Sequence, residues 1–336
     1  MRRLTFRPAA MGRSGEDVMR RWSIPIIAAL LLLSGQAALA AQPAQGVVRD
    51  LADANNARCH NPEGITASPN GLLYAAGLSG NICIYDLNGN ELGHLTVAPN
   101  HALLGELYTP EGIYVADNNP GFTGGRLIRV DPETGAFVVL AEGFGAPNAI
   151  AQDHRGTLYV SDSFAGAIYT VSPNGGGKTL WKADVLLQPH GNPPFGANGV
   201  AFDRTQSFLY VANTADDRIL RIAVNKDGGA GAISIFADGA TLGSGALDGA
   251  DGIQFDVMGN LYVCANQANE IQVLSPSGAL IARYGHNAGD DPLDFPASPI
   301  FHERGLYIAN LALGTAPNGG KISVMGVPFP GAPAGH

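Results

Sequence analysis

The sequence predicts an all-β fold, a six-bladed β-propeller with a central axial metal site, and three observations carry the architecture. A strand signature recurs as Leu72-Leu73-Tyr74, Ile113-Tyr114-Val115, Leu158-Tyr159-Val160, Leu209-Tyr210-Val211, Leu261-Tyr262-Val263 and Leu306-Tyr307-Ile308. A repeat of roughly 40 to 50 residues built of short strands is the signature of propeller blades. Ahead of each signature lies a short step into an earlier strand, read at Glu63, Leu104, Asn148, Asn198, Asp251 and Ser298. Finally, the chain is rich in turn residues, Gly 45 and Pro 22, and poor in charge at 15%, which suits tight turns between buried strands.

Each blade follows one grammar, with turn residues separating alternating strands. In blade one the turn Ser68-Pro69-Asn70-Gly71 leads to Leu72, and Ile82-Cys83-Ile84-Tyr85 forms the next strand. Blade two has Thr109-Pro110-Glu111-Gly112 and Leu127-Ile128-Arg129-Val130, and blade three has Asp153-His154-Arg155-Gly156 and Ala167-Ile168-Tyr169. Ile219-Leu220-Arg221-Ile222, Ile271-Gln272-Val273-Leu274 and Lys321-Ile322-Ser323-Val324 hold the same place in blades four to six. Pro110-Glu111-Gly112-Ile113 repeats the letters of Pro62-Glu63-Gly64-Ile65, yet it runs directly into a Tyr-Val strand, so Glu111 belongs to a peripheral turn. An open ring would leave an unpaired strand edge, and Gly46 to Leu51 is the segment expected to close blade six. The propeller is therefore read over 46–328, with a loose tail over 329–336.

Residues 1–40 read as a secretory signal segment: Arg20-Arg21, the apolar run Ile24 to Leu33, and Ala38-Leu39-Ala40 before a cut after Ala40. The run is short for a bilayer span. Glu16 and Asp17 sit oddly in such a segment, so either Met1 or Met19 is the start. A periplasmic or secreted location is expected, with no membrane span after removal of the signal. Residues 1–40 hold six of the 20 basic and two of the 29 acidic residues, so the remainder carries a net charge of −13. That balance argues against nucleic acid as a partner. In an oxidising compartment Cys59 and Cys83, flanking blade one, are candidates for a disulfide that spacing alone does not decide, whereas Cys264 reads as a buried hydrophobe.

In a radial arrangement the first residues of the innermost strands point at the axis. Glu63, Asn148, Asn198 and Asp251 then converge as two carboxylates and two carboxamides, an all-oxygen set suited to a hard cation. The same residue types also cap turns, but their recurrence in blades one, three, four and five favours a site. One divalent ion is expected, Ca²⁺ first, with Zn²⁺ or Mn²⁺ as alternatives. No Gly-x-Ser-x-Gly motif is present, which argues against a covalent esterase. The histidines, including His60 and His190 ahead of axial segments, are left out of the catalytic set.

From about Asn61 to Val327 this pattern resembles the senescence marker protein/gluconolactonase (regucalcin-like) family of six-bladed propellers. The resemblance implies Glu63, Asn198 and Asp251 as metal ligands, Asp251 also as the catalytic base, and Asn148 as a substrate-binding residue. It implies a hydrolase of lactones or related esters, in which metal-activated water attacks a polarised carbonyl, and the signal segment makes that hydrolase an exported one. Sugar-lactone hydrolases of the family tend to carry an arginine two residues before the blade-three asparagine. Ala146 stands there in this chain, and with Phe144, Pro147, Phe195 and Ala197 it points to a more apolar mouth. A second reading is a non-enzymatic binding propeller, because Gly156-Thr157-Leu158-Tyr159-Val160 and Gly259-Asn260-Leu261-Tyr262-Val263 also resemble NHL repeats. Glu63 and Asp251 together favour the enzyme.

Overall fold

A computed structural model describes residues 42–286, 292–313 and 319–333; the signal segment read over 1–40 lies outside them. Among the described residues the strands form six four-stranded antiparallel sheets. The innermost strands are Pro62–Ala67, Ala102–Thr109, Pro147–Gln152, Ala197–Phe202, Ala250–Phe255 and Pro296–His302. They contact one another in sequence order around a closed ring, which makes the expected six-bladed propeller. Closure uses Arg49–Asp53, which pairs antiparallel with Lys321–Gly326 as the outer strand of blade six. It begins three residues later than expected, while Gln45 makes a separate bridge to Gly326.

Six apolar clusters fill the gaps between neighbouring blades. The recurrent tyrosine explains the signature strand. Its ring packs against the aromatic residue at the far end of the next innermost strand in Tyr74–Tyr108, Tyr159–Phe202, Tyr210–Phe255 and Tyr262–Phe301, with centroids 5.7, 5.0, 4.9 and 5.2 Å apart. The last three pairs are edge-to-face, the arrangement that the ring quadrupole favours.

A register shift near the start of every innermost strand splays the first residues toward the axis. Counting from it aligns Glu63, Leu104, Asn148, Asn198 and Asp251, as read from the sequence, but blade six contributes Ala297 and not Ser298. Pro299 stands where blades one, three and five have Ile and blade four has Val, and this disguised the register by one residue. Ser298 instead aligns with the small residues Gly64, Gly105, Ala149, Gly199 and Gly252. Smallness is required because a Cβ on Gly64, Gly105, Gly199 or Gly252 would collide with a backbone carbonyl of the next blade: Leu104, Asn148, Asp251 or Ala297.

The tail read as loose is held as far as Ala332. Val257 N donates to Pro330 O at 3.0 Å and Ala332 N donates to Phe255 O at 2.8 Å. Gly331 bridges to Asp256. Its lack of a side chain lets it lie against Phe301, whose ring a Cβ would strike. Cys59 and Cys83 form a disulfide, with Cα atoms 5.9 Å apart. It ties the approach to blade one to that blade's third strand. No helix among the described residues is long and apolar enough to cross a membrane.

Candidate active site

The strand starts carry Glu63, Asn148, Asn198 and Asp251 to one end of the axis, and each is no more than 5% exposed. The same ring position holds Leu104 and Ala297, both buried, so the polar residues occupy blades one, three, four and five. Glu111 is exposed in its hairpin turn, as expected.

Hydrogen bonds orient the cluster. Asp251 Oδ2 accepts from Asn266 Nδ2 at 2.9 Å. Asn198 Nδ2 donates to Thr214 Oγ1 at 2.9 Å, and that hydroxyl donates to Ala250 O at 2.7 Å. Glu63 Oε2 and Asn198 Oδ1 are buried with no hydrogen-bond partner, as is Asn266 Oδ1 behind Asp251. Such atoms are expensive to leave bare, and together with the Asp251 carboxylate they are the donor type that a hard cation takes. Among the described residues, no three His, Cys, Asp or Glu side chains are placed to hold an ion together. A central metal site is therefore not shown by the structure; to hold a cation, the carboxamides would have to serve as donors beside the carboxylates.

Burial dominates the electrostatics of the cluster. Burial pushes the Asp251 carboxyl up to about 7, with the amides of Asn266 and Asn198 opposing the shift. Glu63 is held well above the usual carboxylate range by burial, then by Asp251, then by Glu106. Burial raises the Cys264 thiol, and the nearby Asp251 and Glu63 add to the effect.

Three contributors were not singled out from the sequence. Glu106, two residues past Leu104, has a carboxyl raised by burial and opposed by the Ala76 N–H that it accepts. Thr214 and Asn266 occupy the position just past the second strand of their blades. Asn118 and Ser163 are their equivalents: Asn118 Nδ2 donates to Pro147 O and Ser163 Oγ to Ala197 O, each at 2.8 Å. Asn118, Ser163 and Thr214 thus each latch onto the carbonyl that precedes an axial residue of the next blade. The signal was present as a polar residue following each of Ala116-Asp117, Ser161-Asp162, Ala212-Asn213 and Cys264-Ala265.

At the same end of the propeller, Phe122 from a loop of blade two, Phe164 from a loop of blade three and Phe195 from the connection to blade four form a cluster, with centroids 6.1, 6.1 and 5.4 Å apart. Phe164 is 43% exposed. Phe195 lies three residues before Asn198, and Ser163 O accepts the intervening Gly196 N–H at 3.0 Å. Toward the opposite end, a cavity of about 310 Å³ is lined by Glu106, Ile150, Val200, Ile253 and Gln254, with Ala332 and Pro333 at its margin.

A family model described as the SMP-30/Gluconolactonase/LRE-like region matches residues 190–311. The resemblance read from the sequence is thereby supported, over a stretch that includes Asn198 and Asp251. The sequence gives no significant match to a curated protein. Among solved structures, the calcium-binding protein regucalcin from Agrobacterium tumefaciens is 18% identical, with TM-score 0.62, covering 86% of this chain and 98% of that one. A gluconolactonase from Xanthomonas campestris is 16% identical, with TM-score 0.57 and coverage of 85% and 88%. Virginiamycin B lyase from Staphylococcus aureus is also 16% identical, with TM-score 0.58 and coverage of 83% and 99%. At these identities the likeness establishes the fold, which hosts a hydrolase and a lyase alike.

Proposed function

From the family match over residues 190–311 and the axial cluster, we propose that this chain is an exported, metal-dependent hydrolase of lactones or related esters. The observation that carries the reading is the pair of orphaned buried oxygens, Glu63 Oε2 and Asn198 Oδ1, beside Asp251. Glu63, Asn198 and Asp251 would hold one divalent cation, with Ca²⁺ favoured. When bound, such a cation supplies polarisation of the substrate carbonyl oxygen.

The chain's own residues account for the remaining requirements. Asp251, the axial carboxylate of blade five, would also serve as the general base that takes a proton from water as the water oxygen bonds to the carbonyl carbon. The ring C–O bond then breaks, and the same proton passes to the departing alkoxide to give a hydroxy acid. Asn148 supplies an amide for orienting the substrate. Phe122, Phe164 and Phe195, with Ala146 in place of a family arginine, support substrates with an apolar substituent rather than polyhydroxy lactones.

The test is a screen of aliphatic and aryl-substituted lactones with chelated and Ca²⁺-loaded protein. Hydrolysis that chelation abolishes and Asp251→Ala removes is the expected result; equal activity after both treatments overturns the reading. One observation favours the binding-propeller alternative: all four axial polar residues are almost fully covered. A native protein that takes up no cation and hydrolyses no lactone would turn the search toward protein partners.

A further inference from the structure

Glu106 breaks the repeat. Counted from the register shift, its counterparts in the other blades are Ile65, Ile150, Val200, Ile253 and Pro299, all apolar. An acid has been placed where five blades out of six use a hydrocarbon. Its Oε1 accepts the Ala76 N–H of blade one, while its Oε2 is buried with no hydrogen-bond partner. Its Cγ lies beside the Cα of Gly64, the residue next to Glu63, at a distance that leaves no room for a Cβ there. It also lines the cavity on the far side of the axial cluster, with Ile150, Val200 and Ile253 as its apolar companions. A single hydrogen bond to a backbone N–H is a small return for burying a carboxyl group. A glutamine, with the same reach and no charge, would serve that N–H equally well.

We infer that Glu106 is a positioning residue of the axial cation site, a third carboxyl group that faces the cluster from the channel side and raises its affinity for a divalent cation. This rests on the proposed cation site and extends it beyond Glu63, Asn198 and Asp251. No three carboxylates converge within coordination distance among the described residues, so Glu106 acts through its charge and through the placement of Glu63 rather than as a ligand. The arrangement predicts a trade. The group burdens the cation-free protein and is compensated when a cation is bound.

Two variants separate this role from a structural one. Glu106→Gln keeps an acceptor for the Ala76 N–H and removes only the charge; Glu106→Ile copies blades one, three and five. Ca²⁺ affinity is measured by calorimetry and thermal melting followed with and without Ca²⁺, folding being checked by circular dichroism. Expected are a loss of Ca²⁺ affinity of about 10- to 100-fold in Glu106→Gln, the range typical for residues behind metal ligands, and a cation-free melting temperature for Glu106→Ile at or above the native value. If Glu106→Gln does not fold, Glu106→Ile carries the same affinity comparison. Native affinity in the folded variant overturns the inference and leaves the cation site standing. A native protein that binds no Ca²⁺ overturns both.

Discussion

Asn198 Nδ2 donates to Thr214 Oγ1 at 2.9 Å, and the one proton of that hydroxyl is committed to Ala250 O at 2.7 Å. Thr214 can therefore only accept from Asn198, which fixes the amide with its acceptor oxygen turned away and unpartnered. The carbonyl that receives the hydroxyl proton belongs to the residue before Asp251, so one threonine sets both an amide and the strand start of a carboxylate. Thr214→Val retains shape and removes both bonds. The expected result is a Ca²⁺ affinity weakened by about 10-fold or more with the circular dichroism spectrum unchanged, measured by calorimetry. Unchanged affinity would show that the amide needs no such restraint.

The Asp251 carboxyl, raised from 3.8 to about 7 by burial, makes cation-free stability depend on pH in a defined direction. Between about pH 4 and pH 7 the folded state holds a proton that the unfolded state has released, so folding stability falls as pH rises across that window. For a shift of this size the loss is on the order of a few kcal/mol. A chelated sample should melt several degrees lower at pH 7.5 than at pH 5, and Asp251→Asn should flatten the slope. Because cation binding needs the carboxylate, Ca²⁺ affinity should rise over the same window and binding should release protons. A melting temperature that rises with pH in the chelated native protein would contradict the assigned burial.

Much of the fold was legible because tyrosines and turn residues repeat with blade spacing, and four of the polar axial positions were legible because a small residue follows each one. Blade six was misread by one residue because Pro299 replaces the expected branched residue and register, not composition, decides which residue faces the axis. Glu106 escaped for the opposite reason. It sits at a position that the repeat marks as apolar, so a pattern reading passes over it. The tail was read as loose from its Pro, Gly and Ala; what holds it is backbone pairing to Phe255 and Val257, which leaves no trace in side-chain pattern. The disulfide depended on a Cα separation that sequence spacing does not give.

The Cys59–Cys83 bond closes a loop of 24 residues in sequence separation, for which chain-entropy reasoning gives about 3 kcal/mol of stabilisation. Cys59→Ser with Cys83→Ser should lower the melting temperature by several degrees, and dithiothreitol should do the same to the native protein but not to the double variant. Free-thiol titration of the unfolded native protein should find one thiol, Cys264. Three thiols in oxidised, unfolded protein would dispose of the bond.

Phe164 offers the most direct reading of substrate class. It is the most exposed member of the aromatic cluster, its ring centroid is 5.4 Å from that of Phe195, and its Cβ lies beside Gly145, three residues before Asn148. A side chain that touches only the substituent of a substrate, and not the reacting carbonyl, alters binding without altering the chemical step. Phe164→Ala should therefore raise KM for an alkyl- or aryl-substituted lactone by about 10-fold, the value of roughly 1 to 2 kcal/mol of buried apolar contact, and leave kcat within about twofold. For an unsubstituted lactone of the same ring size KM should change little. Steady-state kinetics on such a matched pair separates this from a folding defect, which would depress both substrates alike. Equal effects on the two would remove the aromatic cluster from the substrate site.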